Sequence, residues 1–364
     1  MKFYCSKCDV KEEVTTKEIT CKCGGLWKLD WMPPKFDLNL IDCSTWGMFR
    51  YRSFMPLIDD AWKVVTLGEG MTPVIRFNDD VILKMDYFMP TLSFKDRGAA
   101  MLIAHCLSIG VSSVVQDSSG NAGNSIAAYA AKSGINCEIY VPEGTSAKKI
   151  NMIMANNAKV NIVKGSRDEC ALYCRNKVVQ EKQYYASHVH NPFFYQGTKT
   201  YIYEVYEQLK RIPSNIFVPL GNGTLFIGVM KALEELLNSS VIDRIPNIIA
   251  VQSEKCAPIA KASISKQKSP VIITPLKTLA EGIAIGVPMR GEEILEYIYK
   301  YDIEVILAPE EKILDARDQL SSKGIYCEHT TAATFAAYLE YCKHNGKLTD
   351  SLISMCGAGL KSDY

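Results

Sequence analysis

One lysine, Lys95, has neighbours that favour a reactive side chain over a solvated one. It stands in the stretch PTLSFKDRGA at residues 90–99, directly after Phe94 and before a charged pair. A lysine amine that is withdrawn from water loses its proton more easily, and the neutral amine can condense with an aldehyde. A solvated lysine at a helix start is the commoner arrangement, so the rest of the chain has to decide between the two.

A first glycine-rich turn lies within residues 117–134, DSSGNAGNSIAAYAAKSG, where a short strand leads into an alanine-rich helix. The free N–H groups at a helix start favour an anion such as a carboxylate or a phosphate. The side-chain amide of Asn121 could hold a hydroxyl or phenolic oxygen. For this stretch alone, a serine-capped helix with glycines in its turn is the structural alternative.

A second turn, PLGNGT at residues 219–224, again leads from a strand into a periodic helix. Its backbone N–H groups and the Thr224 hydroxyl form a concave set of donors that suits a phosphate. The turn is not a Walker loop, because no Gly-Lys-Ser/Thr follows, and it lacks the dinucleotide pattern G-x-G-x-x-G. The motif therefore indicates a phosphate cradle of another kind.

The lysine and the two turns together meet the requirements of pyridoxal phosphate acting on an amino acid. That chemistry needs an amine that forms a Schiff base, a cradle for the cofactor phosphate and a site for the substrate carboxylate. The same amine, once displaced, can move the Cα proton of the substrate.

From about residue 80 the chain alternates short β-branched runs with amphipathic stretches of helical length. This alternation predicts an α/β fold with parallel-rich sheets flanked by helices. The 364 residues, 48% of them hydrophobic, suffice for two domains with cores of their own. The least periodic part, residues 262–280, is predicted to be a surface loop.

Composition argues against two classes of partner. The chain has 41 Lys and Arg against 40 Asp and Glu, and its net charge is +1. We see no basic stripe and no long apolar run, so we expect neither nucleic acid nor a membrane as partner. The sequence predicts a soluble cytoplasmic protein, and most of its 13 cysteines are expected to be reduced and to pack as small apolar side chains.

Four cysteines near the N-terminus stand apart from the others. They form two close pairs, Cys5 with Cys8 and Cys21 with Cys23. Two such pairs on tight turns can supply four thiolates to a structural zinc ion, as in a zinc ribbon. The second pair has one residue between its cysteines, where two are usual, so free thiols are the alternative. Residues 1–30 are predicted to form this cysteine-rich module.

The chain resembles the threonine synthase-like family of fold type II pyridoxal-phosphate enzymes. The resemblance rests on the order and spacing of several motifs: GEGMTP at 68–73, PTLSFKDRG at 90–98, SSGNAGNSIAAYAA at 118–131, NPFFYQGTKT at 191–200, PLGNGT at 219–224, AEGIAIGVP at 280–288 and CGAGLK at 356–361.

The resemblance implies a role for each motif. Lys95 would form the Schiff base with the cofactor, and Phe94 would pack beside it. Asn121 would bond the phenolic oxygen of the cofactor. The resemblance also implies two anion sites: the cofactor phosphate would be held by Gly221, Asn222, Gly223 and Thr224, and the substrate carboxylate by Ser118, Ser119 and the backbone near Ala122.

At the pyridine nitrogen the chain departs from the family pattern. Relatives place a serine or threonine hydroxyl there, and Cys356 stands at the aligned position, with Ser354 two residues earlier. A thiol is a weaker donor than a hydroxyl. Two arrangements therefore stay open: Cys356 faces the nitrogen, or it packs in the core while a nearby serine bonds the nitrogen.

On the substrate side two further positions differ. Family members carry an arginine after Asn-Pro-aromatic, where this chain has Phe194, which cannot replace a bidentate phosphate ligand. His329 stands where relatives have a proline, either as a surface residue or as a titrating group near the substrate. The residues that could compensate for the missing arginine are Lys84, Ser93, His190, Asn191 and Arg167.

We therefore expect three parts: the module at 1–30, a large domain of 31–77 and 191–364 that binds the cofactor phosphate, and a small domain of 78–190 with the Schiff-base lysine and the carboxylate loop. The resemblance implies a homodimer with a small amino-acid substrate. The implied activity is that of a threonine synthase, which converts O-phosphohomoserine and water to threonine and phosphate. The alternatives are a β-elimination or β-replacement enzyme for serine or phosphoserine, and a non-catalytic amino-acid-binding relative.

Overall fold

The computed structural model describes residues 1–362, which form thirteen strands in three sheets. Numbered along the chain, the strands are β1 (Lys2–Cys5), β2 (Lys11–Glu13), β3 (Trp27–Asp30), β4 (Val74–Arg76), β5 (Val81–Lys84), β6 (Ser113–Gln116), β7 (Asn136–Pro142), β8 (Lys159–Val163), β9 (Tyr184–Tyr185), β10 (Asn215–Pro219), β11 (Asn247–Ser253), β12 (Glu304–Ala308) and β13 (Ser351–Ser354).

Residues 1–362 also contain twelve α-helices. They are α1 (Trp62–Val65), α2 (Lys95–Ser108), α3 (Asn121–Lys132), α4 (Ala147–Met154), α5 (Arg167–Glu181), α6 (Phe193–Thr198), α7 (Thr200–Leu209), α8 (Thr224–Asn238), α9 (Pro258–Ile264), α10 (Gly291–Lys300), α11 (Ile313–Ser321) and α12 (His329–Asn345). None of the helices in residues 1–362 is long and apolar enough to cross a lipid bilayer.

The larger sheet has six strands in the order β12-β11-β10-β13-β5-β4. All of its pairings are parallel except that of β4 with β5. Its central strand β10 is buried along its whole length, as expected where helices cover both faces of a parallel sheet.

The position of β5 differs from what the predicted domains imply. Residues 81–84 fall in the predicted small domain, but β5 pairs in parallel with β13 inside the larger sheet. This strand therefore belongs with the sheet that contains β10. The partner strand is more than 260 residues away along the chain, and no local pattern in VILK indicates this pairing.

The smaller sheet has four strands in the order β8-β7-β6-β9, all parallel. Helices α2 and α3 pack on one another beside it. Two parallel-rich sheets flanked by helices confirm the predicted fold class. Of the predicted loop at 262–280, residues 262–264 belong to the end of α9, and residues 265–280 contain neither helix nor strand.

The N-terminal residues form the third sheet, which is antiparallel with the order β2-β1-β3. Its apolar side chains join the core around helix α2, where the Phe3 and Trp27 rings stack at 6.2 Å. His105 of helix α2 contacts the backbone oxygen of Val14 at 3.1 Å through Nε2. The cysteine-rich residues are thus packed against the helix that begins with Lys95.

Candidate active site

A cavity of about 500 Å³ lies where strands β6, β10 and β13 end. Ligands of open parallel sheets bind outside the carboxyl ends of the strands, where the connecting turns meet. The cavity brings together most of the residues singled out in the sequence. Those that line it are Phe94, Lys95, Ser118, Ser119, Asn121, Ala122, Gly221, Asn222, Gly223, Thr224 and Cys356.

Lys95 is the first residue of α2, and its amine points into this cavity. Nζ donates a hydrogen bond of 2.8 Å to Thr224 Oγ1 and lies 4.5 Å from the centre of the Phe94 ring. Removal from water lowers the pKa of Lys95 to about 8. A much larger share of this amine is therefore neutral near pH 7 than of a solvated lysine, as attack on an aldehyde requires.

The turn after β10 is shaped for close approach of an anion. Gly223 has a φ of +80°, and a Cβ atom there would lie 2.5 Å from Ile294 Cδ1. A Cβ atom at Gly221 would lie 3.0 Å from the backbone oxygen of Gly282. Helix α8, 15 residues long, begins at Thr224. Its first N–H groups and the Thr224 hydroxyl are suitable ligands for a phosphate.

The turn after β6 is tighter still. A Cβ atom at Gly123 would lie 1.8 Å from the backbone oxygen of Ser118, so only glycine fits there. Ser118 Oγ accepts a hydrogen bond of 3.3 Å from the N–H of Gly120. Helix α3 follows from Asn121. A serine-supported helix start and an anion site, the two interpretations of this turn, are therefore compatible. The free N–H groups at the start of α3 border the cavity.

The residues after β13 favour one of the two arrangements at Cys356. The side chain of Cys356 lines the cavity, and burial raises the pKa of its thiol well above the ordinary value. The Ser354 hydroxyl is bonded to Tyr201 Oη at 2.7 Å, and Ser354 does not border the cavity. Of the two, only Cys356 borders the cavity, and its thiol is neutral.

Comparison with known proteins gives these features a family. The family model described as "Pyridoxal-phosphate dependent enzyme" matches residues 65–357, most of the chain. The chain belongs to this family. Threonine synthase of Methanocaldococcus jannaschii is 31% identical over 347 residues, which cover 91% of this chain and 85% of that protein. Threonine synthase of Mycobacterium leprae is 30% identical over 299 residues, covering 80% and 81%.

Solved structures share the fold at lower identity. Processed threonine deaminase isoform 2 of Solanum lycopersicum superposes with a TM-score of 0.70 at 20% identity, covering 84% of this chain and 87% of that one. Maize serine racemase gives a TM-score of 0.69 at 19% identity, covering 82% and 91%. These likenesses confirm the fold of type II pyridoxal-phosphate enzymes.

The residues present fit the cofactor of this pyridoxal-phosphate dependent family. The cavity offers an amine with a lowered pKa at Lys95, a glycine turn open to an anion, and the amide of Asn121, all lining one space. These groups correspond to the aldehyde, the phosphate and the phenolic oxygen of pyridoxal phosphate.

Lys84, expected to bind substrate, lies elsewhere. It is fully buried, and its Nζ is 2.6 Å from both Glu204 Oε2 and Thr72 Oγ1. Arg97 also bonds Glu204, through Nη1 at 2.6 Å, and Asp86, through Nε at 2.8 Å. The prediction for Lys84 was therefore wrong: this lysine neutralises a buried charge network. Sequence reasoning missed it because the carboxylate comes from helix α7.

Asn191 also lies outside the cavity, contrary to prediction. Its Nδ2 donates to Tyr184 Oη at 2.9 Å, and its Oδ1 accepts a hydrogen bond of 3.0 Å from the N–H of Phe193. His190 and Ser93 do not border the cavity either. Phe194 is fully buried, and its ring fills the space that a side chain at Gly98 would occupy. Helix α6 therefore contributes packing where the family pattern has an arginine.

His188 and Glu328 are among the cavity residues that were missed in the sequence. His188 is buried, lines the cavity, and its Nδ1 lies 3.1 Å from Gln116 Nε2. Burial lowers the pKa of His188 well below the usual range, so its ring is neutral. Glu328 also lines the cavity and accepts a hydrogen bond of 2.9 Å from Asn121 Nδ2. Its motif, EHTTAA, drew attention to His329 instead.

His329 is buried and not on the surface. It lines the cavity, and its Nε2 is 2.9 Å from Arg317 Nη1. Burial and the neighbouring guanidinium lower the pKa of His329.

The four N-terminal cysteines come together. Their Sγ atoms all lie within 4.8 Å of one another, with Cys5 and Cys23 at 3.4 Å and Cys8 and Cys21 at 3.5 Å. A Cβ atom at Gly25 would lie 2.4 Å from Cys5 Sγ, so a glycine makes room for the cluster.

Proposed function

We propose that this protein is a threonine synthase, which releases phosphate from O-phosphohomoserine and adds water to give threonine. One observation carries the proposal: the cavity combines the reactive amine of Lys95, the glycine turn at 221–224 and a further cationic side chain, Arg167. A phosphorylated amino acid brings an anion in addition to the phosphate of the cofactor, and this cavity has the glycine turn for one and the Arg167 guanidinium for the other. The threonine synthases that are about 30% identical over most of their length support the same assignment.

Pyridoxal phosphate, when bound, supplies an aldehyde for amine exchange and a ring that withdraws electrons from the substrate Cα. We propose that the amine of Lys95 would hold the cofactor at its aldehyde and would take and return protons at Nζ. Its lowered pKa suits both roles near neutral pH. The N–H groups at the start of α3 orient the substrate carboxylate, and Asn121 holds the phenolic oxygen. Cys356 would be a neutral partner for the ring nitrogen.

We assign the substrate phosphate to Arg167 and His188. Of the five residues considered as substitutes for the missing arginine, Arg167 is the one that lines the cavity. Its guanidinium has no ion pair with a carboxylate among residues 1–362, so its charge is available to a ligand. Its field acts on both Lys95 and His188, lowering the pKa of each. A neutral imidazole that accepts from Gln116 at Nδ1 carries its proton on Nε2 and can donate it.

One observation favours the alternative substrate class. Phe194 stands where relatives have the arginine, and its ring is packed in the core, with its centroid 5.8 Å from Lys95 Nζ. A site without that guanidinium would suit a substrate with an uncharged leaving group, such as serine, in a β-elimination or β-replacement.

A phosphate-release assay separates the two. The cofactor-loaded protein is given O-phosphohomoserine, O-phosphoserine or serine, and phosphate, threonine and pyruvate are measured. The proposal expects phosphate and threonine in equal amounts from O-phosphohomoserine. If O-phosphohomoserine gives no phosphate and no threonine, while the serine compounds give pyruvate or a replacement product, the alternative would be established.

We also propose that Cys5, Cys8, Cys21 and Cys23 hold a structural zinc ion. A tetrahedral Zn²⁺ with Zn–S bonds of about 2.3 Å separates its sulfur ligands by roughly 3.8 Å, which agrees with the clustering of the four Sγ atoms. With all four positions filled by protein, such an ion has no catalytic role. The homodimer and the cytoplasmic location expected from the sequence stay predictions.

A further inference from the structure

Glu328 is a carboxylate inside the cavity to which the proposed reaction assigns no role. It precedes helix α12, and its Oε2 accepts the 2.9 Å hydrogen bond from Asn121 Nδ2 at the start of helix α3. The two residues are 207 positions apart in the chain, and both line the cavity. The contact therefore ties the turn after β6 to the opposite wall of the cavity.

A glycine makes the space for this carboxylate. A Cβ atom at Gly357, the residue after Cys356, would lie 2.3 Å from both Cδ and Oε2 of Glu328. The backbone N–H of Glu328 donates to the backbone oxygen of Gly357 at 2.9 Å. The carboxylate is thus held against the segment that carries Cys356, and any larger residue at 357 would displace it.

The contact decides how the Asn121 amide is turned. An ionised carboxylate can only accept hydrogen bonds, so it must face the amide nitrogen and not the amide oxygen. The amide nitrogen carries two hydrogens. When one is bonded to Glu328, the other is directed away from it in the plane of the amide and stays available to a ligand in the cavity.

We infer that Glu328 is a positioning residue for pyridoxal phosphate, because it turns the Asn121 amide so that an N–H, and not the carbonyl, meets the phenolic oxygen of the cofactor. The inference rests on the proposed role of Asn121 toward the cofactor. It does not depend on which amino acid is the substrate.

The orientation of the Asn121 amide depends on the protonation state of Glu328. Burial raises the pKa of Glu328 above that of a free glutamate, while its bond to Asn121 and three nearby ammonium groups lower it. A protonated carboxyl can donate to the amide oxygen, which lets the amide reverse and weakens its contact with the cofactor. The groups that face the carboxylate from the surrounding elements are Lys95, Lys149, Lys361, Cys327 and Cys356.

A double-mutant cycle on cofactor binding, without any substrate, tests the inference. Cofactor-free protein is titrated with pyridoxal phosphate, and the Kd is measured for the wild type, Glu328→Gln, Asn121→Ala and the double variant. Each single change should raise Kd about tenfold, the effect of one hydrogen bond to a charged oxygen. The double variant should be no weaker than Asn121→Ala, because Glu328 acts through that amide. The Kd of the wild type should rise toward acid pH as Glu328 becomes protonated. This rise should be absent in Glu328→Gln.

Matched variants separate this effect from a general loss of charge or of folding. Glu281→Gln makes the same change at the same cavity, where Glu281 pairs with Lys149 at 2.9 Å and has no contact with Asn121; its Kd should not change. Glu328→Asp keeps the charge but shortens its reach, so it should lose most of the affinity and carries the test if the glutamine variant does not fold. A Kd within twofold of the wild type in Glu328→Gln and Glu328→Asp, or effects that multiply in the double variant, would overturn the inference. Because no turnover is measured, this result is separate from the identity of the substrate.

Discussion

Lys95 Nζ and Thr224 Oγ1 are joined by a hydrogen bond of 2.8 Å although 129 positions separate them in the chain. Each is the first residue of its helix, α2 and α8. The bond brings the reactive amine to the start of the helix whose N–H groups suit the cofactor phosphate. The lysine and the phosphate cradle are therefore already next to each other. The fold has fixed much of their relative position, so binding the cofactor requires less loss of conformational freedom.

The lowered pKa of Lys95 predicts how cofactor capture depends on pH. Because burial lowers this pKa to about 8, the neutral amine fraction should rise about tenfold per pH unit below that value and level off above it. The rate at which cofactor-free protein captures pyridoxal phosphate, followed by absorbance, should show the same profile, and Lys95→Ala should show no capture. A rate that still rises tenfold from pH 9 to pH 10 would mean an ordinary, solvated lysine.

Gly223→Ala should separate backbone strain from phosphate binding. The positive φ of +80° disfavours alanine, and its Cβ would meet Ile294, so we expect a loss of roughly 1 kcal/mol in the free energy of unfolding and at least about tenfold in cofactor affinity. Gly324→Ala is the control, since Gly324 has a φ of +83° with nothing within 4 Å. It should show the strain without the loss of affinity. Equal cofactor affinity in both variants would remove the turn from the phosphate site.

Arg167→Ala should affect the substrate and spare the cofactor. Loss of a charge-assisted contact to a phosphate should lower kcat/KM for O-phosphohomoserine about a hundredfold, while the Kd for pyridoxal phosphate stays within about threefold. Arg175→Ala is the matched control, because Arg175 lies on the same helix and does not border the cavity. If the two variants have the same kcat/KM, another group binds the substrate phosphate.

The cysteine cluster predicts metal content. Elemental analysis of the purified protein should find about one zinc per chain, and a strong chelator or Cys8→Ser should remove it and lower Tm by several degrees. Cys43→Ser removes an exposed thiol outside the cluster and should leave metal and Tm unchanged. A wild-type protein without metal, and with a Tm indifferent to the chelator, would favour free thiols.

The features predicted well from the sequence are those encoded in short stretches. The turns at 118–123 and 221–224 each combine a strand end, glycines and a helix start, Lys95 begins a helix, and the fold brings all three to one cavity. Such turns depend on local steric rules, which a single sequence displays.

The features that failed depend on partners far along the chain. Lys84 looked available because its carboxylate partner Glu204 lies 120 positions away, and residues 81–84 were placed in the small domain because their partner strand β13 is also distant in sequence. Glu328 and His188 were missed because their chemistry comes from Asn121 and Gln116, on other elements. Counting the buried acids and bases along the chain would have signalled a network, but not its pairing.

The buried network of Arg97 restricts how this enzyme could be recombined with its relatives. Arg97 follows Lys95 by two positions, yet its guanidinium is neutralised by Asp86, just after β5, and by Glu204 of helix α7. A chimera that took helix α2 from another homologue, without the two segments that carry these acids, would bury an unmatched charge beside its reactive lysine. These three segments, distant in the sequence, therefore have to be exchanged together.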